Sequence, residues 1–170
     1  KRQYCELFAA LNYFGTRLDG SATLRTGEED VHGSWFGQSS FATHAVASAR
    51  NAVKVDDDLP IEILGPLGCG LLTGAGAVLN VHRPREGQSI GIWGIGTVGL
   101  SAVMAAKAAG CDPIIAVDPN TERLEVARKL GATHTFDPTA TDDVVWEIME
   151  LTGGLDFTVD AVGSGLVVRQ

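Results

Sequence analysis

Ser89-Ile90-Gly91-Ile92-Trp93-Gly94-Ile95-Gly96-Thr97-Val98-Gly99, with Asp118 closing the next apolar run, decides how this chain of 170 residues is read. A short apolar strand pattern enters the bend, an alanine-rich helix pattern leaves it, and Ile114-Ile115-Ala116-Val117 delivers the acid. The three glycines of the bend have separate physical tasks. Gly94 permits the tight turn, Gly96 leaves bare backbone for a pyrophosphate, and Gly99 lets helix and strand pack closely. Phosphates then meet the helix N-terminus, where unpaired N–H groups and the helix dipole both favour an anion. The glycine spacing alone is weak in a chain with 21 glycines. The strand before it, the helix after it and an acid about 20 residues further on make it specific for a dinucleotide.

Asp118 selects the dinucleotide. A carboxylate at the end of the second strand accepts both ribose hydroxyls of NAD, whereas the 2′-phosphate of NADP would set anion against anion. The alternative is that Asp118 only caps the helix beginning near Asn120.

Working outward from the bend, strand and helix patterns alternate. Strands are expected at 89–93, 113–118, 133–136 and 155–160, and helices at 97–109, 121–130 and 142–151. That order implies a parallel sheet with right-handed crossovers. Gly110 and Gly131 stand where left-handed helix ends are wanted, and Thr141 before Asp142 and Asp143 reads as a helix start. The small-residue run between Gly65 and Val81 is expected to be a helix joining two regions, held by close tertiary contact because its glycines weaken an isolated helix. Before residues 58–70 the pattern changes. Ser40 to Val46 and Ala52 to Val55 read as short β pieces between polar turns, material for an antiparallel or barrel-like region.

Composition narrows the function. A formal net charge of −8 with 13 scattered basic residues argues against nucleic acid. No apolar run approaches the ~20 residues that span a bilayer, and Lys1-Arg2-Gln3 does not lead into a signal-peptide core. Cys5, Cys69 and Cys111 suit a reducing cytoplasm better than a disulfide framework. His32, His44, His82 and His134 lie far apart without metal-ligand spacing, so a self-contained zinc site is not expected. Trp93 is expected to pack on a central strand, Trp146 to join the core with Val145 and Met149, His44 to point outward from a strand, and Cys111 to open the second strand as plain core. Taken alone, Cys69 reads as a small buried helical thiol.

The chain resembles the zinc-dependent medium-chain alcohol dehydrogenases, and among them the aryl-alcohol (benzyl-alcohol) enzymes. The resemblance rests on Phe36 to Thr43, on Gly65 to Ala77 around Cys69, on the bend at 94–99, on Ala116-Val117-Asp118, and on Arg123 with Leu130 to His134. It implies an α/β fold: a partial doubly wound (Rossmann) parallel sheet that binds NAD over 65–170, preceded over 1–64 by a β-rich remnant of a GroES-like substrate domain. It further implies Cys69 as a ligand to a catalytic zinc, Thr73 and Val98 beside the nicotinamide, Arg123 near the adenosine ribose, Val162 against adenine, and Cys5 as part of a structural-zinc lobe. The activity so implied is hydride transfer from a primary, aromatic alcohol to NAD, giving an aldehyde, in a cytoplasmic homo-oligomer with no nucleic-acid or membrane partner. The chain matches only the middle of such an enzyme and supplies one of three catalytic zinc ligands, so alone it is expected to be inactive. Two alternatives stand beside this: a non-catalytic piece with at most weak dinucleotide binding, associating through an exposed sheet edge, and a zinc-free reductase resembling the quinone reductases, against which Cys69 speaks.

Overall fold

A computed structural model describes residues 6–37, 43, 44, 47, 49 and 52–170. The chain divides into two compact units, Lys1–Leu59 and Pro60–Gln170. In the first, α1 (Phe8–Tyr13) precedes a hairpin of β1 (Leu24–Thr26) and β2 (Glu29–Val31), paired antiparallel with Leu24 opposite Val31. Gly27, at φ +64°, turns the hairpin, and Arg25 bonds Asp30 across it at 2.8 Å. The β-rich expectation is met among the described residues only by these two three-residue strands. Ala52 to Val55 forms no strand, and His44 lies exposed in a bend with its ring beside Thr43. Most of 40–46 lies outside the described residues.

The second unit carries the sheet. Its strands are β3 (Ile90–Trp93), β4 (Ile114–Val117), β5 (His134–Phe136) and β6 (Phe157–Asp160), all parallel in the order β5-β4-β3-β6. The first strand in sequence thus stands inside, with later strands added on both sides, as a doubly wound sheet requires. β3 and β4 are buried at every residue because both faces are covered, which is why their sequences read as continuous apolar runs. β6 alternates, with Val159 buried and Thr158 and Asp160 exposed. It has a hydrogen-bonded neighbour on one side only among the described residues.

The helices take opposite faces. Ile90, Ile92, Ile114 and Ala116 pack with α3 (Thr97–Ala108) and α4 (Thr121–Leu130), whereas Trp93, Ile115 and Val117 pack with Val144 and Ile148 of α5 (Val144–Thr152). Gly110 ends α3 at φ +78°, with its own N–H donating to Lys107 and that of Cys111 to Ala106, the paired bonds of a left-handed cap. Asn120 starts α4 by accepting the Arg123 N–H at 3.0 Å.

Several local expectations are corrected. Thr141 does not cap α5; Asp143 does, accepting the Trp146 N–H at 2.9 Å, because the helix begins at Val144. Trp146 is not core: α5 turns Val144 and Ile148 inward, which leaves Trp146 60% exposed. The run from Gly65 to His82 is not one helix but a 3-10 turn (Gly65–Gly68), an α-helix, α2 (Gly70–Gly76), and a wide π-type turn (Ala77–His82). Its glycines do serve close approach, since a Cβ at Gly74 would lie 2.0 Å from the Val98 carbonyl of α3. Cys111 is buried as expected but precedes β4, which starts at Ile114.

Candidate dinucleotide site

The site lies where β3, β4, β5 and β6 end. A cleft of about 520 Å³ opens there, lined by Gly94, Gly96, Asp118, Arg123 and Val162 together with Pro138 and Thr139 beyond β5. Strand ends facing a crevice beside the order reversal are where open α/β sheets hold ligands.

The three glycines of the bend prove to have three different environments. Gly94 adopts φ +86°, which a side chain resists, and a Cβ there would meet Val162 Cγ2 at 2.7 Å. At Gly99 a Cβ would fall 1.9 Å from the Gly94 carbonyl oxygen, so helix and turn touch through bare backbone. Gly96 is the informative case. Its φ of −83° suits any residue, and a Cβ would meet nothing within 4 Å. The protein's own packing therefore does not need a glycine there. α3 also starts without a side-chain cap, which leaves first-turn N–H groups for an anion.

Asp118 is 4% exposed and lines the cleft. Its Oδ2 accepts the Ile95 N–H at 2.7 Å and its Oδ1 accepts the Asn120 N–H at 2.8 Å. Each carboxylate oxygen retains a further lone pair. Arg123 Nη1 stands 3.7 Å from Asp118 Oδ2, an ion pair weakened by the exposure of the arginine. Across the cleft, Asp160 Oδ1 accepts the N–H groups of Val162 at 2.8 Å and Gly163 at 3.1 Å, fixing the loop that presents Val162.

The structure therefore brings together Gly94, Gly96, Asp118, Arg123 and Val162, with Gly99 directly behind the turn. Val98 is half-buried on the first turn of α3, outside the cleft lining. Thr73 and Cys69 are exposed one turn apart, joined by the Thr73 N–H to Cys69 carbonyl bond of 2.8 Å. The plain reading of Cys69 as a buried helical thiol is overturned: it sits exposed at the junction of the 3-10 turn and α2. Among the described residues no three His, Cys, Asp or Glu side chains are grouped to hold a metal, so these residues do not fit a zinc site by themselves. Cys5 lies outside the described residues. Trp93 packs in the core as expected and also lines the cleft, its indole N–H donating to Gln170 at 3.1 Å. Pro138, Thr139 and Asp160 escaped sequence reasoning, although their position just past or at strand ends was a usable signal.

The family model for zinc-binding dehydrogenase matches residues 97–170. A geraniol dehydrogenase from Castellaniella defragrans is 50% identical over 151 residues, which cover 88% of this chain and 40% of that protein. An alcohol dehydrogenase zinc-binding domain protein from Burkholderia ambifaria superposes with a TM-score of 0.90 at 48% identity, covering 97% of this chain and 45% of its own. The benzyl alcohol dehydrogenase from Acinetobacter calcoaceticus superposes with a TM-score of 0.89 at 44% identity, covering 98% and 44%. The chain spans less than half the length of each of these relatives.

Proposed function

We propose, from the premise that residues 97–170 of this chain belong to the zinc-binding dehydrogenases, that the chain is the NAD-binding part of an alcohol dehydrogenase. The observation that carries this reading is Gly96, a glycine on the cleft wall that neither backbone conformation nor internal packing demands. Room beside bare backbone at an uncapped helix start suits a pyrophosphate. Asp118 takes the ribose hydroxyls on its remaining lone pairs, Val162 offers an apolar wall to adenine, and Arg123 covers the ribose edge. The negative charge of Asp118 favours NAD over NADP.

NAD, when bound, supplies a two-electron hydride acceptor, and a primary alcohol that loses a hydride from its carbinol carbon and the proton from its hydroxyl becomes an aldehyde. The role of this chain is to hold the cofactor along the strand ends and keep its reactive end in register. Thr73 and Val98 are assigned to the nicotinamide end by resemblance, as Cys69 is to zinc. The described residues bring Cys69 no further metal ligands. A primary alcohol is the substrate we assign, with an aromatic one preferred; geraniol and benzyl alcohol, after which two of the relatives are named, are both primary alcohols.

The test is a melting titration of the chain with NAD, NADP and ADP. Ligand at about 100 times its Kd stabilises by roughly 2.7 kcal/mol. NAD and ADP should each raise the midpoint, and NADP should need a higher concentration for the same rise. No response to any of them, or equal responses to NAD and NADP, refutes the assignment.

A further inference from the structure

We infer that Asp118 is a positioning residue for the phosphate turn as well as a ribose acceptor, so that one carboxylate joins the two halves of the nucleotide site. The inference rests on the nucleotide reading above and adds a second task to the acid. Ile95 is the middle residue of the bend, between Gly94 at φ +86° and Gly96. Glycines on both sides give that backbone many conformations of similar energy. Three contacts narrow them: the Gly94 N–H donates to the Val117 carbonyl at 2.9 Å, the Ile95 side chain is fully buried, and the Ile95 N–H donates to Asp118 Oδ2 at 2.7 Å. Two successive amides of the bend are thus held by two successive residues at the end of β4.

The other carboxylate oxygen is held in turn by the Asn120 N–H at 2.8 Å, and the group is 4% exposed. It therefore has a fixed orientation from which to hold the turn. Neither bond involves a ribose. Removing the carboxylate leaves a buried backbone N–H short of its charged acceptor, and an asparagine at 118 accepts from one of the two amides while its NH₂ faces the other.

Electrostatics alone gives the opposite expectation, and this separates the two. A carboxylate beside an anion site repels the anion, so a mere ribose reader, once neutralised, should let an anion without ribose bind as well or better. A positioning residue, once neutralised, should weaken that same anion. Inorganic pyrophosphate is the probe.

The experiment compares the unaltered chain with Asp118→Asn. In the variant, hydrogen exchange of the Ile95 amide should accelerate about 10- to 100-fold, while the Ile92 and Val117 amides keep their protection. The Kd for inorganic pyrophosphate should rise several-fold, and that for NAD should rise further. Unchanged Ile95 exchange, or pyrophosphate bound as tightly or more tightly, overturns the inference. Should Asp118→Asn lose protection throughout β3 and β4, a through-hydrogen-bond coupling between the Ile95 amide nitrogen and the Asp118 carboxylate carbon in the unaltered chain decides instead. Its presence supports the inference and its absence overturns it. An unaltered chain that binds no NAD sinks the nucleotide reading, an outcome distinct from an Ile95 amide indifferent to residue 118.

Discussion

Replacing Gly96 by alanine should separate binding from stability. The position has φ −83° and ψ −163°, open to an L side chain, and the new methyl would meet no atom of the protein within 4 Å. Gly96 is also the N-cap of α3, where alanine is less favourable than glycine by roughly 0.5–1 kcal/mol. Against this, alanine restricts the unfolded chain and returns about 0.4–1 kcal/mol. The two effects nearly cancel, and the melting point should hardly move. Binding has no such compensation. A methyl on the cleft wall holds the pyrophosphate off the backbone and forfeits at least one charge-assisted hydrogen bond, about 1.5–3 kcal/mol. That corresponds to roughly 10- to 150-fold in Kd. Gly99→Ala is the contrast: its Cβ would fall 1.9 Å from the Gly94 carbonyl oxygen, and it should cost more than the ~1–3 kcal/mol of ordinary overpacking, because backbone must move. Calorimetric titration with NAD beside urea unfolding measures both quantities. If Gly96→Ala binds NAD like the unaltered chain, the space at Gly96 is not a phosphate cradle.

Acid should unfold the second unit partly through Asp156, which accepts the Ser89 N–H and hydroxyl, each at 2.8 Å, and ties the start of β6 to β3. These bonds hold its carboxyl below the ordinary 3.8, so its contribution is complete above that pH and is lost as pH falls through the lower folded value. Asp156→Asn should therefore be less stable at pH 7, with the difference shrinking below pH 3.8; a constant difference across an acid titration would refute this. Alkylation in a Cys5→Ser background at pH 8 should mark exposed Cys69 quickly and Cys111 slowly, because burial and then the nearby Asp156 charge push the Cys111 thiol up. Equal rates at the two cysteines, followed by peptide mass spectrometry, would contradict their assigned environments.

Much of the second unit was legible before any coordinates. β3, β4, β5 and β6 fall within two residues of their expected bounds; β3 and β4, buried at every residue, read as continuous apolar runs, and Gly110 and Gly131 mark the ends of α3 and α4. Errors gathered where a residue's fate depends on what lies opposite it. Trp146 has the same apolar chemistry as Val144 and Ile148, yet the rotation of α5 on the sheet leaves it exposed. Thr141, Asp142 and Asp143 all suit a helix start, and only the entry path of the backbone selects Asp143. Ala52 to Val55 has strand composition without a partner strand among the described residues, and composition does not supply partners.

From its order of residues alone, the chain determined the strand-bend-helix unit, the parallel alternation and the acid at position 118, because periodicity and glycine geometry are local properties. Tertiary structure alone decided that the end of β4 lies against the bend, that Asp118 holds the Ile95 amide while lining the cleft, and that of three similar glycines one faces a clash with a side chain, one a clash with backbone, and one open space. Those distinctions depend on distances between segments far apart in the chain, which only a folded sheet brings together.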